Sequence, residues 1–406
     1  MKKPELLVPA GDLEKLKVGL LYGADAFYLG LPPFSMRSSV NNFSKEEMLM
    51  GVGLIRKAKK KFYVTINIYP RGNKVSAFVK HIEFLRDEVK PDAVILSDVG
   101  VLEMVREVYP KAEIHLSVQA NCVNYKAVEF WWKQGVRRVI LPRELSLEEI
   151  KEIHERVPKM ELEFFVHGAI CVAYSGRCLL SYYLTGRDAN QGICAHSCRW
   201  KYRLEEEKRP GEYMPVFEDE HGTHIFNSRD MCLLSRLGEL AEAGVCSFKI
   251  EGRNKTEHYL ATVTKAYRCA VDDMVRGKKF DVKLIDEVKK SANRGFIEGF
   301  LDGFNDGGEK SIYYEKNAPI QTHKFIGIVK GKARGHKGLY EVEIRNRLDK
   351  GQKVEVMTPK KQFEIVVGEM KDLKGEVVDS VHGGAGNKFL KLGDGVGVGS
   401  ILRIKL

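Results

Sequence analysis

Along residues 1–253, short apolar runs alternate with longer stretches whose apolar residues recur at helical spacing. Eight runs read as strands: "ELLVPA", "DAFYLG", "FYVTINIYP", "AVILSD", "IHLSVQ", "RVILPRE", "LEFFVHGA" and "SFKIEGR". Between most of them lie helix-like segments such as "DLEKLKVGLLYG", "SKEEMLMGVGLIRKAKKK" and "SLEEIKEIHERV", opened by Asp or Ser as N-caps. Glycine closes several helices, in "LLYGADAFYLG", "WWKQGVRRVIL" and "LAEAGVCSFKI", giving the order helix, left-handed glycine, buried strand. Eight strands with helical crossovers predict an α/β fold, a closed (β/α)8 TIM-like barrel. An open doubly wound sheet is the alternative. It would want a Gly-rich phosphate loop after the first strand, and "VPAGDLEK" is not one.

Residues 254–303 read as helices, including "YLATVTKAYRCAVDDMV". After "GGEKSIYYEKNAPIQ" the pattern becomes short alternating strands and Gly-rich turns, the texture of a small all-β barrel. The predicted organisation is a barrel domain over 1–305 with an insertion at about 170–246 across its mouth, a linker at 306–320, and a β-domain at 321–406.

Charge sharpens this division. The chain carries a formal +11, and residues 321–406 alone hold 17 Lys/Arg against 10 Asp/Glu. A basic β-domain suits an anionic partner such as RNA. The N-terminus lacks an apolar stretch of signal-peptide length, and no run approaches the roughly 18 apolar residues of a membrane span. The expected location is the cytoplasm, away from membranes, where clustered cysteines point to metal, catalysis or buried packing rather than disulfides. A homodimer is left open.

Barrel chemistry gathers at the C-terminal ends of strands. There the sequence turns polar: Tyr28, Asn67, Asp98, Gln119, Asn121, Arg143, Glu144, His167, Lys249, Glu251 and Arg253. The insertion holds five of the eight cysteines: Cys171, Cys178, Cys194, Cys198 and Cys232. Close spacing with turn residues between suits a metal or a cluster of four thiolates. Zinc would accept four as well, although no CxxC knuckle is present, and packed or catalytic thiols are a third reading. Cys122, Cys246 and Cys269 fall in strand or helix patterns and read as core. Arg177, Arg187 and Arg199 surround the cluster of cysteines and can pair with acids or bind a carboxylate or phosphate. "RWKYRLEEEKR" mixes Arg, Trp and Tyr, which suits stacking on nucleobases and equally a plain surface strand.

"EFFVHGAICVAYSGRCLLS" resembles the signature of peptidase family U-32, the collagenase-like family; Glu163, Phe165, Gly168, Ala169, Ile170, Cys171, Gly176, Cys178, Leu180 and Ser181 fall on it. "LLVPAGDLEKL", "GADAFYLG", "YLTGRDANQGICAHSCRWKY", "GEYMPVFEDE" and "FKIEGRNKTEHYLATV" extend the likeness over most of the barrel. The resemblance implies oxygen-independent hydroxylation, with branches acting on tRNA uridine, ribosomal RNA cytidine and ubiquinone. It implies a four-iron four-sulfur cluster on four of the five cysteines and, in the RNA branches, dependence on prephenate, a dicarboxylate. A barrel with one small basic β-domain looks like the tRNA branch, whose product is 5-hydroxyuridine at the wobble position of the anticodon loop. On that reading Arg143, Arg177, Arg187 and Arg253 hold the dicarboxylate, with Gln119 and Asn121 as further substrate contacts. His167, Glu163, Lys249 and Glu251 are the catalytic candidates. The competing expectations are a U-32 peptidase, an accessory iron–sulfur protein, and a hydroxylase of another substrate.

Overall fold

The chain alternates strand and helix from its start: β1 (Glu5–Pro9), α1 (Leu13–Tyr22), β2 (Ala26–Leu29), α2 (Lys45–Lys57), β3 (Lys61–Thr65), α3 (Val75–Phe84), β4 (Ala93–Leu96), α4 (Val99–Val108), β5 (Ile114–Leu116), α5 (Tyr125–Lys133), β6 (Arg138–Leu141), α6 (Leu147–Arg156) and β7 (Glu161–Ala169). This is a computed structural model, and it describes residues 2–32, 34–36, 43–170, 178, 180–187, 189, 193–197, 204–205, 213–214, 217–219, 222–224, 229–303, 320–336 and 338–406. Short polar side chains set the helix starts: Asp12 caps α1, and Ser44 and Ser146 form capping boxes with Glu47 and Glu149. The three glycines read as helix stops have positive φ: Gly23 at 101°, Gly135 at 77° and Gly244 at 96°.

A short helix α7 (Leu180–Thr185) follows β7, then β8 (Asp230–Cys232), α8 (Leu237–Glu242), β9 (Val245–Ile250), α9 (Glu257–Val275), α10 (Lys283–Val288) and β10 (Phe296–Ile297). Strands β1 to β7 pair in parallel and in chain order, and β9 pairs with both β7 and β1, closing an eight-stranded parallel barrel. Between α7 and β8 the strands Leu204–Glu205 and Tyr213–Met214, and Phe217–Asp219 and Gly222–His224, pair as two small sheets; in the barrel's own sheet two further strands were not expected. β8 runs antiparallel to the end of β7, setting Asp230 opposite Ala169 and Cys232 opposite His167, and β10 adds to β8 in parallel. The stretch 170–246 therefore rejoins the barrel wall by Asp230 rather than lying wholly across the mouth.

Two strands end earlier than their apolar runs. β3 stops at Thr65, and Ser117 caps a 3-10 turn (Val118–Ala120) directly after β5. Both breaks carry polar side chains, Asn67 and Gln119, over the mouth. Asp98 instead caps α4 by accepting from the Val101 N–H at 3.0 Å, a structural duty. Cys122 is buried and Cys246 half-buried, as expected of core thiols, whereas Cys269 is exposed. Tyr267, Ala270 and Val271 take the inward face of α9 and leave position 269 on the outer one.

Residues 323–405 form an eight-stranded antiparallel sheet in the order Gln362–Val366, Lys353–Met357, Ile401–Lys405, His323–Lys332, Tyr340–Ile344, Asn387–Leu390, Met370–Lys371, Val377–Val378. Its end strands do not pair with each other among the described residues, so it is a half-barrel rather than a closed one. Register shifts at Phe325/Gly327 and Val329/Gly331 bend its longest strand around a core of Ile326, Val329, Val342, Val354, Val356 and Leu402. The sheet docks on α1 and α9: Tyr22 Oη donates to Met357 O at 2.9 Å, Lys265 Nζ to Thr358 O at 2.8 Å, and Phe325 stacks on His258. Among the described residues no helix is long and apolar enough to cross a membrane.

Candidate active site

The C-terminal ends of the barrel strands enclose a cavity of about 200 Å³. Every barrel strand but the first contributes to it, β5 through the turn that follows it. Among the described residues its polar lining comes from Tyr28, Thr65, Asn67, Ser117, Gln119, Arg143, Lys249 and Arg253, with one carboxylate, Glu251; Ile95, Val118, Ile140 and Phe165 make the apolar side. Three cations facing one acid and an apolar wall suit a small anionic molecule with a hydrocarbon body.

Each cation is held in place. The Arg143 guanidinium lies 3.8 Å from the Phe165 ring centroid. Arg253 donates to Ser35 Oγ at 2.7 Å, to Thr65 Oγ1 at 3.3 Å and to the Met36 carbonyl. Lys249 Nζ sits 2.7 Å from Glu163 Oε1 and 4.5 Å from the Tyr28 ring centroid. On the opposite side, Asn67 Nδ2 donates to Gln119 Oε1 at 2.7 Å and to Ser117 Oγ at 3.2 Å, and the Met36 N–H donates to Asn67 Oδ1 at 3.2 Å. Gln119, Lys249, Glu251 and Arg253 are all more than nine-tenths buried.

Gly168, on the β7 signature, has φ of 115°, and a Cβ there would lie 2.7 Å from Glu251 Cβ. Glycine is what lets Glu251 approach β7, where its N–H donates to His167 O at 2.9 Å. Gly168→Ala is expected to cost about 2–4 kcal/mol from backbone strain plus overpacking, read as a lowered denaturation midpoint, and to displace Glu251 from the cavity.

The other expected site residues stand elsewhere. Glu163 is wholly buried beneath the cavity and does not line it. Its Oε2 accepts from Arg138 Nη1 at 3.2 Å, and Arg138 also pairs with Glu5 at 2.7 Å and Glu161 at 2.6 Å. Burial pushes the Glu163 carboxyl up, but Lys249 and Arg138 outweigh it and hold the group below its ordinary range. His167 is buried too and lies outside the cavity. Its Nδ1 is 3.3 Å from Tyr267 Oη, rings of Tyr259, Tyr267 and Phe296 surround it, and burial pulls its imidazole down to about 4. Asn121 closes the 3-10 turn at φ of 50° and does not line the cavity, nor does the half-buried Glu144.

Cys171, Cys198, Arg177 and Arg199 lie outside the described residues. Cys178 and Cys194 are half-buried, and one small knot ties their segments together. Ser181 Oγ donates to Arg187 O at 2.7 Å and accepts from the Ala195 N–H at 2.8 Å. Exposed Arg187 reaches the Cys194 carbonyl at 3.5 Å, not the cavity. The His196 N–H donates to Cys194 Sγ at 3.3 Å. Cys232 is buried on β8, with its thiol pushed up to about 11 by burial and 3.8 Å from Tyr267 Oη. Among the described residues, no three His, Cys, Asp or Glu side chains converge as a metal site. The soft donors and the backbone N–H at Cys194 nevertheless fit a thiolate-held centre.

Sequence reasoning found seven of the cavity residues as polar strand ends: Tyr28, Asn67, Gln119, Arg143, Lys249, Glu251 and Arg253. It missed Met36, Thr65, Ser117 and Phe165, and the buried partners Arg138 and Glu5. The charged starts of "RVILPRE" and "ELLVPA" were the only signal for the last two.

The chain is 40% identical to the tRNA hydroxylation protein P of Escherichia coli, over 94% of its own length and 92% of that protein's. It is 39% identical to the protein of the same name from Haemophilus influenzae, over 96% and 93%. A 23S rRNA 5-hydroxycytidine synthase of Escherichia coli is 35% identical over 67% of this chain and 40% of that protein. Residues 11–311 match peptidase family U32 and residues 321–403 match that family's C-terminal domain, so the chain belongs to peptidase family U32.

Proposed function

We propose that the protein is a cytoplasmic tRNA hydroxylase that forms 5-hydroxyuridine at the wobble position of the anticodon loop. On this reading it needs no molecular oxygen and uses prephenate as a small dicarboxylate co-substrate. The observation that carries it is near-full-length similarity, at about two residues in five, to proteins named for tRNA hydroxylation.

The cavity's chemistry supports a dicarboxylate. Arg143, Arg253 and Lys249 offer charge-assisted hydrogen bonds to carboxylates. Ile95, Val118 and Ile140 accept a ring, and Asn67, Ser117 and Gln119 face its neutral oxygens. Glu251, the cavity's carboxylate, is the candidate to take the proton that leaves uracil C5. The uridine arrives unstacked, as single-stranded loop bases can. Exposed Lys332, Arg334, Lys350, Lys353, Lys360 and Lys361 of the half-barrel supply phosphate contacts. A four-iron four-sulfur cluster would be held by four of Cys171, Cys178, Cys194, Cys198 and Cys232, with zinc the weaker alternative. When bound, it supplies redox chemistry or Lewis acidity beside the base. A peptidase would need an activated nucleophile with its base. His167 Nδ1 is instead taken up by Tyr267, and no Cys–His or Ser–His pair forms around it among the described residues.

The test is nucleoside analysis of unmodified tRNA after anaerobic incubation with the purified protein. Hydroxyuridine is expected only when prephenate is present. Unchanged tRNA together with cleavage of a protein substrate would move the assignment to a peptidase, and a product on another RNA to a different hydroxylase.

A further inference from the structure

The barrel beneath the cavity is charged rather than apolar. A chain of ion pairs leads up to the cavity: Glu161, exposed at the start of β7, and Glu5 at the start of β1 both pair with Arg138, which pairs with Glu163, which pairs with Lys249 at the cavity wall. Tyr63 Oη donates to Glu5 Oε2 at 2.7 Å, and Ser247 Oγ to Glu5 Oε1 at 3.1 Å. Both oxygens of Glu163 are therefore engaged, one by Lys249 and one by Arg138, and the carboxylate cannot swing. A buried ionic chain adds little stability over apolar packing of the same volume. Its consequence lies in where it fixes charge.

We propose that Lys249 is the fixed anion-binding charge of the cavity, and that Glu163 and Arg138 are positioning residues that act through it without touching the ligand. A lysine stem is flexible and its ammonium ordinarily free to roam. Here the ammonium is confined by Glu163 from β7 and by the rings of Tyr28 and Phe165, at 4.5 and 5.3 Å. The other charges around it are Arg138 from β6 and Arg253 and Glu251 from the segment after β9. Burial, Arg138 and Arg253 all work against the ammonium, and Glu163 is the carboxylate that sustains it. A ligand carboxylate entering the cavity shares this ammonium with Glu163 and takes its remaining hydrogen bonds from Arg143 or Arg253. Neither Glu163 nor Arg138 lines the cavity, so their effect on binding passes through Lys249. The class of ligand rests on the co-substrate reading above; the positioning of Lys249 does not.

The experiment reads both separately on the full-length protein. With ¹⁵N-lysine labelling, the Lys249 ammonium resonance is assigned by its loss in Lys249→Gln and titrated without ligand. Glu163→Gln, which keeps the side-chain volume, is expected to lower the Lys249 deprotonation midpoint by at least about one pH unit. Glu163→Asp should restore part of it. Titration calorimetry with prephenate should then show an affinity loss in Glu163→Gln that grows as pH rises, about tenfold at the alkaline end, with proton uptake absent from the wild type. An unmoved midpoint and a pH-independent affinity ratio in folded Glu163→Gln would overturn the proposal. Wild-type protein that binds no prephenate would overturn the co-substrate reading instead, while the Lys249 titration still decides the role of Glu163.

Discussion

Arg403→Met is expected to destabilise the protein by about 3 kcal/mol and to loosen the half-barrel from the barrel, seen as a lower denaturant midpoint and as new protease cleavage between the two units. Arg403 has no exposed surface. It pairs with Glu287 at 2.5 Å and with Glu355, and donates to Thr262 Oγ1 at 3.2 Å, with His258 at 3.4 Å. It thus joins the last strand of one unit to α9 and α10 of the other. Removing the guanidinium strands two half-buried carboxylates. Lys290, 3.0 Å from both, remains as partial compensation and keeps the cost near the low end for a broken buried pair.

The same substitution should change the pH profile. Burial raises the Glu287 and Glu355 carboxyls, but Arg403 overcomes it and holds both below their ordinary value. A depressed folded-state pKa gives stability that is present above the unfolded value and lost as pH falls through the folded one. The gap between wild type and Arg403→Met should therefore be full at neutral pH and shrink as pH drops below the carboxylate range. A gap independent of pH would mean that the loss comes from packing rather than from the ion pairs.

How much of this was legible beforehand depends on which physical signal each residue left. The eight barrel strands were, because parallel strands buried on both faces read as continuous apolar runs, and the caps at Asp12, Ser44 and Ser146 were, because capping needs those residue types. Asn67, Gln119, Lys249 and Arg253 stood out as hydrogen-bonding residues at strand ends. Depth within the barrel did not show. Glu163, Phe165 and His167 share one parity along β7, yet Glu163 lies under the cavity, Phe165 lines it, and β8 crosses beside His167. Alternation gives the face a side chain takes and says nothing of how far down the barrel it sits. β8 and β10 were hidden because three- and two-residue strands carry no period of their own. Arg138 and Glu5 stand at the starts of their apolar runs, far apart in the chain; only the closed barrel brings them together.

If the proposed cluster is present, Cys178→Ala is expected to abolish it, and with it the proposed hydroxyuridine formation. Protein purified without oxygen should carry about four irons and four acid-labile sulfides per chain and absorb broadly in the visible range, and the variant should have lost both. The residue sits two positions before α7, whose Ser181 tethers the Cys194 segment. On the proposed reading Cys178 is one of the four cluster ligands, so its loss leaves that set at three, one short of what a four-iron cluster takes. Cys269→Ala is the control: position 269 lies on the outer face of α9, so iron and activity should be unchanged. Cys232→Ala is the informative third case, because the buried thiol packs against Tyr267 on a strand paired with β7. Iron loss there makes Cys232 a ligand and Cys194 or Cys198 the spare; retained iron with lowered stability makes it a core thiol. One zinc per chain in place of iron, unchanged by exclusion of air, would replace the cluster with a structural metal site and remove the redox part of the proposed reaction.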